Sequence, residues 1–292
     1  MDQAQNLRNI VNQVQGAGDV GTRVISVTSG KGGVGKTNFV VNLAIWFGRL
    51  GKRVTIIDAD FGLANIEVLF NIWPKYSFMD VLRGLKSVPE ILTEAPFGIK
   101  FIPGGTGFKD MADITVDEMS HVLDNLGYLD EISDIILIDT GAGMSRTVTT
   151  FVKAANEAVI ITTPEPTSIS DSYTLIKNVY DAGEARPDIG IVINKAENDD
   201  EGEVVYDRLK GVCEKFLNMT PRFIGSLAYD QDLVKAVKEQ NPVMISRPSA
   251  SYSRGMEILG KRILMQDETI GTLPERRGIK AFIMRLIKGN IV

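Results

Sequence analysis

The segment Gly30-Lys31-Gly32-Gly33-Val34-Gly35-Lys36-Thr37 brings together the residue types that hold a polyphosphate. Its spacing is G-x-x-x-x-G-K-[ST]. It lies between a β-branched run, Val24 to Val27, and a helix-length stretch from Asn38 to about Leu50, the strand-loop-helix setting this chemistry requires. Glycines without Cβ let backbone N–H groups approach phosphate oxygens closely, and the helix N-terminus adds partial positive charge. Lys36 is placed to reach the β- and γ-phosphates, and the Thr37 hydroxyl is suited to Mg²⁺. Two more groups belong with the loop. Asp58-Ala59-Asp60 and Asp139-Thr140-Gly141 each end an apolar run, which sets carboxylates at the carboxyl edge of a parallel sheet where the loop opens. Carboxylates there can hold Mg²⁺ or its waters and orient an attacking water.

The elements that must position these residues are legible as an alternation. Short runs, mostly β-branched, at Val24–Val27, Val54–Ile57, Ile99–Ile102, Ile135–Ile138, Ala158–Ile161 and Ile189–Ile193 are separated by helix-length amphipathic stretches. Nearly continuous apolar strands between helices predict an α/β fold with a doubly wound, mostly parallel sheet covered on both faces. Lys100 interrupts the third run and predicts a peripheral strand there. No long linker divides the chain. The expected organisation is an N-terminal segment 1–21, a nucleotide-hydrolysing domain 22–266 and a C-terminal tail 267–292.

Composition narrows the alternatives. The 292 residues carry 32 Lys+Arg against 37 Asp+Glu, a formal charge of −5, with one cysteine (Cys213) and one histidine (His121). That excludes a disulfide framework and cysteine-built metal clusters within one chain, and leaves little room for Ser-His or Cys-His catalysis. No run approaches the ~18 apolar residues of a spanning helix, and the N-terminus has no leader pattern, so a cytoplasmic protein is expected. The mildly acidic total gives no reason to expect nucleic acid.

With Lys31 inside the loop, K-G-G-V-G-K-T resembles the deviant Walker A ATPases of the MinD/ParA family, and the likeness runs from about Val24 to Leu264. The resemblance implies ATP/ADP and Mg²⁺ as cofactors and a homodimer formed on ATP, in which Lys31 crosses to the partner's phosphates. It further implies that Asp60 positions the hydrolytic water, Asp58 supports the Mg²⁺ shell, Asp139 is the Walker B-type carboxylate and Asn194 reads adenine. Independently of family, positive charge set against the γ-phosphate accelerates phosphoryl transfer, so a lysine delivered by a second copy would couple assembly to hydrolysis.

Both ends add information. Residues 276–288 hold Arg276, Arg277, Lys280, Arg285 and Lys288 and no acid, a local charge of +5. Ile279, Phe282, Ile283, Leu286 and Ile287 recur at helical spacing as one apolar stripe. A basic amphipathic helix of this kind can lie at an anionic membrane surface, and the same stripe would equally serve for docking on the body. At the other end Asp2-Gln3-Ala4-Gln5-Asn6-Leu7-Arg8 reads D-Q-A-x-x-L-R, which resembles the N-terminal signature of the FlhG family of flagellar-number regulators, also called YlxH or FleN. Asn38, where many relatives have a second threonine, is similar to that family too. The resemblance implies that Asp2, Gln3, Leu7 and Arg8 engage a GTPase partner, FlhF, with Gln3 acting at its nucleotide site, and that flagellar C-ring proteins are further partners. A division-site MinD and a DNA-partitioning ParA are the alternative readings. The N-terminal extension speaks against the first, and the apolar stripe makes lipid the better target of the basic tail than DNA.

Overall fold

The computed structural model describes residues 22–61, 65–105, 125–180, 187–269 and 278–290. The motif residues Asp2, Gln3, Leu7 and Arg8, together with Arg276, Arg277 and His121, lie outside them. Among the described residues eight strands form one sheet: β1 (Arg23–Ser29), β2 (Val54–Ala59), β3 (Thr93–Glu94), β4 (Lys100–Ile102), β5 (Ile135–Ala142), β6 (Glu157–Thr162), β7 (Asp188–Ala196) and β8 (Arg222–Ala228). Their order is β3-β4-β2-β5-β1-β6-β7-β8, with every pair parallel except β3 against β4. The helices are α1 (Lys36–Arg49), α2 (Asn65–Phe70), α3 (Phe78–Leu82), α4 (Val88–Ile91), α5 (Leu129–Ile132), α6 (Arg146–Ala154), α7 (Pro166–Tyr180), α8 (Asp199–Leu217), α9 (Gln231–Lys238), α10 (Val243–Ser246), α11 (Ser251–Thr269) and α12 (Ile279–Asn290).

Successive strand residues point to opposite faces, so the continuous apolar runs feed two cores at once. On one face Ile25, Val27, Ile56, Leu137 and Val159 pack under α1, α10 and α11. On the other, Val24, Ile57, Ile136 and Ile138 pack against α3, α4, α6 and α12, while Ala158, Ile160, Ile189 and Ile191 pack against α6, α7 and α8. The Lys100 strand is peripheral as its interrupted pattern predicts, since only the two-residue β3 lies outside it. The other edge, β8, was not among the expected strands. Arg222, Gly225 and Ser226 break its apolar run, and a bulge at Ile224 shifts its register on β7. Arg262 donates to the Ile224 carbonyl at 2.8 Å, which blunts that edge against pairing with another chain.

The tail helix α12 is docked. Ile279, Phe282, Ile283 and Leu286 are all at most 4% exposed, and Phe282 meets Phe151 of α6 with ring centroids 5.8 Å apart. Asp130 of α5 caps the helix by accepting from the Ile279 N–H at 2.8 Å, and Gly278, at φ +100°, makes the turn into it. The stripe expected at a membrane is therefore buried on the body in this state, with Lys280 and Arg285 half-buried beside it. Ile287 and Lys288 continue the helix, but their side chains lie outside the described part. Among the described residues no helix is long and apolar enough to cross a membrane.

Candidate active site

The loop between β1 and α1 opens at the carboxyl edge of the two central strands β1 and β5, where a ligand of an open α/β sheet is received. Gly33 and Gly35 have φ of +75° and +100°, and Gly35 immediately precedes α1. The first turn of α1 contains no acidic residue and no side chain caps it, so its N–H groups are left for an anion. Gly30 is required for a different reason than phosphate approach. A Cβ there would lie 2.4 Å from the backbone of Asp171, so the glycine lets α7 pack against the loop.

The expected carboxylates converge on the same edge. Asp58 ends β2 directly beside Asp139 on β5, the two being register partners. Asp139 is wholly buried with neither carboxylate oxygen hydrogen-bonded, although Thr37 stands near enough to ease its charge. Burial pushes it up to about 6, against the opposing influence of Lys36. Asp58, 1% exposed, is held well above the ordinary carboxylate range by burial first and then by the charge of Asp139. Asp60 is half-buried and raised by burial, with Lys36 opposing, and receives Asn65 Nδ2 at 3.4 Å. A Cβ on Gly141 would lie 3.3 Å from Asp60 Oδ1, which places Asp60 against the last residues of β5, just beyond Asp139.

Two adjacent buried carboxylates beside a threonine hydroxyl, Asp139 with both oxygens orphaned and Asp58 accepting only the Asp60 N–H, fit a hard divalent cation. Among the described residues no three His, Cys, Asp or Glu form a metal cage of their own. The donor set therefore suits Mg²⁺ that arrives with a nucleotide and keeps several waters: Thr37 would hold it, with Asp58 and Asp139 holding it or its waters. When bound, that ion supplies charge neutralisation across the phosphate oxygens. Lys36, 8% exposed and close enough to lower both Asp60 and Asp139, adds the fixed positive charge. Asp60 is the carboxylate with access to orient a water.

Lys31 sits at the lip of the loop, partly exposed, with Nζ 2.6 Å from Glu165 Oε2 and 3.0 Å from Thr167 Oγ1 of its own chain. Asn194, the expected adenine reader, lies beside the loop with its amide engaged there: Nδ2 donates to the Val34 carbonyl at 2.7 Å, and its Oδ1 accepts from the Lys195 N–H. Beyond it lies a cavity of about 290 Å³ lined by Asn38, Asn194, Lys195, Tyr229, Leu233 and Val237, among others. This cavity joins the loop and has the apolar walls a nucleobase needs. Tyr229 at its rim is 61% exposed, and Asp230 is spent in capping α9 and receiving the Tyr252 N–H. Lys195, Glu165, Thr167 and Ser29 all contact the loop or its lysine, and sequence reasoning did not single them out.

Fold and site together define a P-loop nucleotide hydrolase. A family model for the CobQ/CobB/MinD/ParA nucleotide binding domain matches residues 25–243. The antiactivator FleN of Pseudomonas aeruginosa is 34% identical over 242 residues, 82% of this chain and 86% of FleN. The flagellum site-determining protein YlxH of Helicobacter pylori is 30% identical over 290 residues, 99% of this chain and 97% of YlxH. Among solved structures, the cell division ATPase MinD of Pyrococcus furiosus superposes with a TM-score of 0.68 at 24% identity, covering 84% of this chain and 99% of that one. The chain belongs to the MinD/ParA family of ATP-hydrolysing P-loop proteins, in the branch that holds FleN and YlxH.

Proposed function

We propose that this chain is an ATP-switched homodimer that sets the number and placement of flagella, resident in the cytoplasm and reversibly at the cytoplasmic face of the cell membrane. The observation that carries the reading is the near full-length likeness to a flagellum site-determining relative, which spans the ATPase body and both tails. The body supports the switch. Lys36, Thr37, Asp58 and Asp139 would hold nucleotide and Mg²⁺, and Asp60 would align the attacking water. Lys31, at the exposed lip of the loop, is available to reach the phosphates of a second copy. Gly30, Gly32, Gly33, Val34, Gly35 and Asn38 would line the nucleotide, with Asn194 beside the base. Hydrolysis would remove the group that both lysines grip and so release the dimer.

The tails would turn that cycle into output. Residues Asp2, Gln3, Leu7 and Arg8 would engage the GTPase FlhF, with flagellar C-ring proteins as further partners. The α12 stripe would bind anionic lipid through Ile279, Phe282, Ile283, Leu286 and Ile287, with Lys280, Arg285 and Lys288 at the headgroups. Because the stripe is buried on the body, lipid binding requires α12 to leave its groove. Burying one such side chain is worth about 1.5–3 kcal/mol, so the helix leaves only for another apolar environment, which a bilayer supplies. Two tails in one dimer would add avidity that one tail lacks. The deciding experiment is GTP hydrolysis by FlhF with and without the purified chain. Stimulation that Gln3→Ala removes is expected, and no stimulation by the native chain would refute the flagellar assignment.

A further inference from the structure

Three side chains grip the phosphate loop from outside by its carbonyls. The Ser29 hydroxyl donates to the Lys31 carbonyl at 2.8 Å, the Lys195 ammonium to that of Gly33 at 2.8 Å, and the Asn194 amide to that of Val34 at 2.7 Å. In a planar trans peptide the C=O and the following N–H point in opposite directions. Each tie therefore turns the N–H of the next residue, Gly32, Val34 or Gly35, away from the gripping side chain. The N–H groups of Val34 and Gly35, freed by the two ties from β7, belong to the set that a P-loop offers to phosphate.

The Lys195 tie is the one that ordinary packing does not account for. Ser29 and Asn194 are buried, whereas Lys195 is exposed and sits in a left-handed conformation at φ +59°. Among the described residues four other non-glycine residues share this conformation, and three of them, Asn71, Asn218 and Gln240, follow the ends of helices, where it is ordinary. Lys195 instead lies within a strand. It is the extra residue of a bulge, since Asn194 pairs with Leu227 and Ala196 with Ala228. A left-handed bulge position suits glycine, and any residue with a Cβ is strained there. The bulge re-aims the lysine side chain, and its ammonium comes to rest on the loop. Lys195 also forms part of the wall of the base-sized cavity, so it touches both halves of the nucleotide site.

We propose that Lys195 is a positioning residue of the phosphate loop, whose ammonium holds the Gly33–Val34 peptide so that the Val34 N–H faces the phosphates before nucleotide arrives. The inference rests on the nucleotide-binding reading of the loop. The test compares the native chain with Lys195→Gly, Lys195→Ala and Lys195→Arg. Glycine keeps the bulge and removes its strain, so Lys195→Gly isolates loss of the ammonium from loss of the fold. In the nucleotide-free protein, hydrogen–deuterium exchange of the peptide spanning residues 29–37 is expected to quicken in the glycine and alanine variants and return toward native in the arginine variant. Calorimetric ADP affinity should fall about fivefold in Lys195→Gly, the scale of one charge-assisted hydrogen bond in a partly solvated setting. The proposal requires both effects. Unchanged exchange would overturn it even if affinity fell, because a lysine that only touches bound nucleotide leaves the free loop unaltered. Unchanged ADP affinity would overturn it as well. Failure of the native chain to bind ADP would instead overturn the nucleotide reading, which the comparison of variants does not decide.

Discussion

Lys31 is held by two groups of its own chain, Glu165 and Thr167, and the ammonium lowers the pKa of the Glu165 carboxyl. Both partners of the ion pair are substantially exposed, at 39% and 60% of their side chains, so the contact is weak and readily exchanged for another. A lysine whose task is to reach a second copy must give up this contact first. Glu165 then competes in cis with the phosphates that Lys31 would meet in trans. Glu165→Gln should favour the ATP dimer, lowering the protein concentration for half-maximal dimerisation by about two- to fivefold, the range of an exposed pair. Sedimentation of the variant against native protein with ATP would show it. A dimer weakened by the substitution would mean that Glu165 serves the assembled state instead. Lys31→Ala, which removes the shared member, should bind nucleotide and fail to dimerise.

At the scale of elements, strand ends do most of the positioning. Asp58 and Asp139, in the carboxyl-terminal halves of β2 and β5, are adjacent because the strands pair in register, and burial raises both. Asp139 is wholly buried and goes from an ordinary 3.8 to about 6, so folding favours its protonated form. Its contribution to stability is fully present below about pH 4 and is lost as pH rises through 6. Between pH 5 and pH 7.5 the nucleotide-free chain should lose about 1 kcal/mol more stability than Asp139→Asn in urea melts. Equal pH dependence would mean that Asp139 titrates normally. The same elements explain what could be read in advance. β1, β2, β5, β6 and β7 are buried on both faces, so their composition is continuous and apolar, and the phosphate loop is contiguous in sequence. The Asp residues were legible because each directly ends such a run. β8 was not, because an edge strand tolerates Arg222, Gly225 and Ser226. Lys195 and Glu165 were not, because a bulge and the packing of α7 create their contacts with residues 162 and 134 positions away. The stripe of α12 was visible, but its periodicity is the same whether lipid or α6 covers it.

For the molecule as a whole, charge and burial pull the tail in different directions. The local +5 of residues 276–288 leaves −10 on the remainder, so an anionic lipid surface would attract the tail and repel the body. Burial of Ile279, Phe282, Ile283 and Leu286 holds the helix on the body, while Arg285 sits half-buried with Nε and Nη2 unpartnered and its pKa lowered by burial. An unpartnered buried guanidinium weakens docking, which keeps release within reach of a competing surface. Truncating the tail is a poor test, because it also strips the cover from the core beneath α12. A probe within the stripe avoids that difficulty. Phe282→Trp conserves an aromatic side chain against Phe151, and vesicles with brominated acyl chains quench a tryptophan only when it enters the bilayer. With ATP and anionic brominated vesicles, quenching beyond the background of Trp46 and Trp73 is expected. It should fall with added salt, as attraction across a Debye length of about 10 Å at 0.1 M is screened. Quenching that is equal without ATP would uncouple the tail from the nucleotide, and no quenching in any condition would assign α12 permanently to the body.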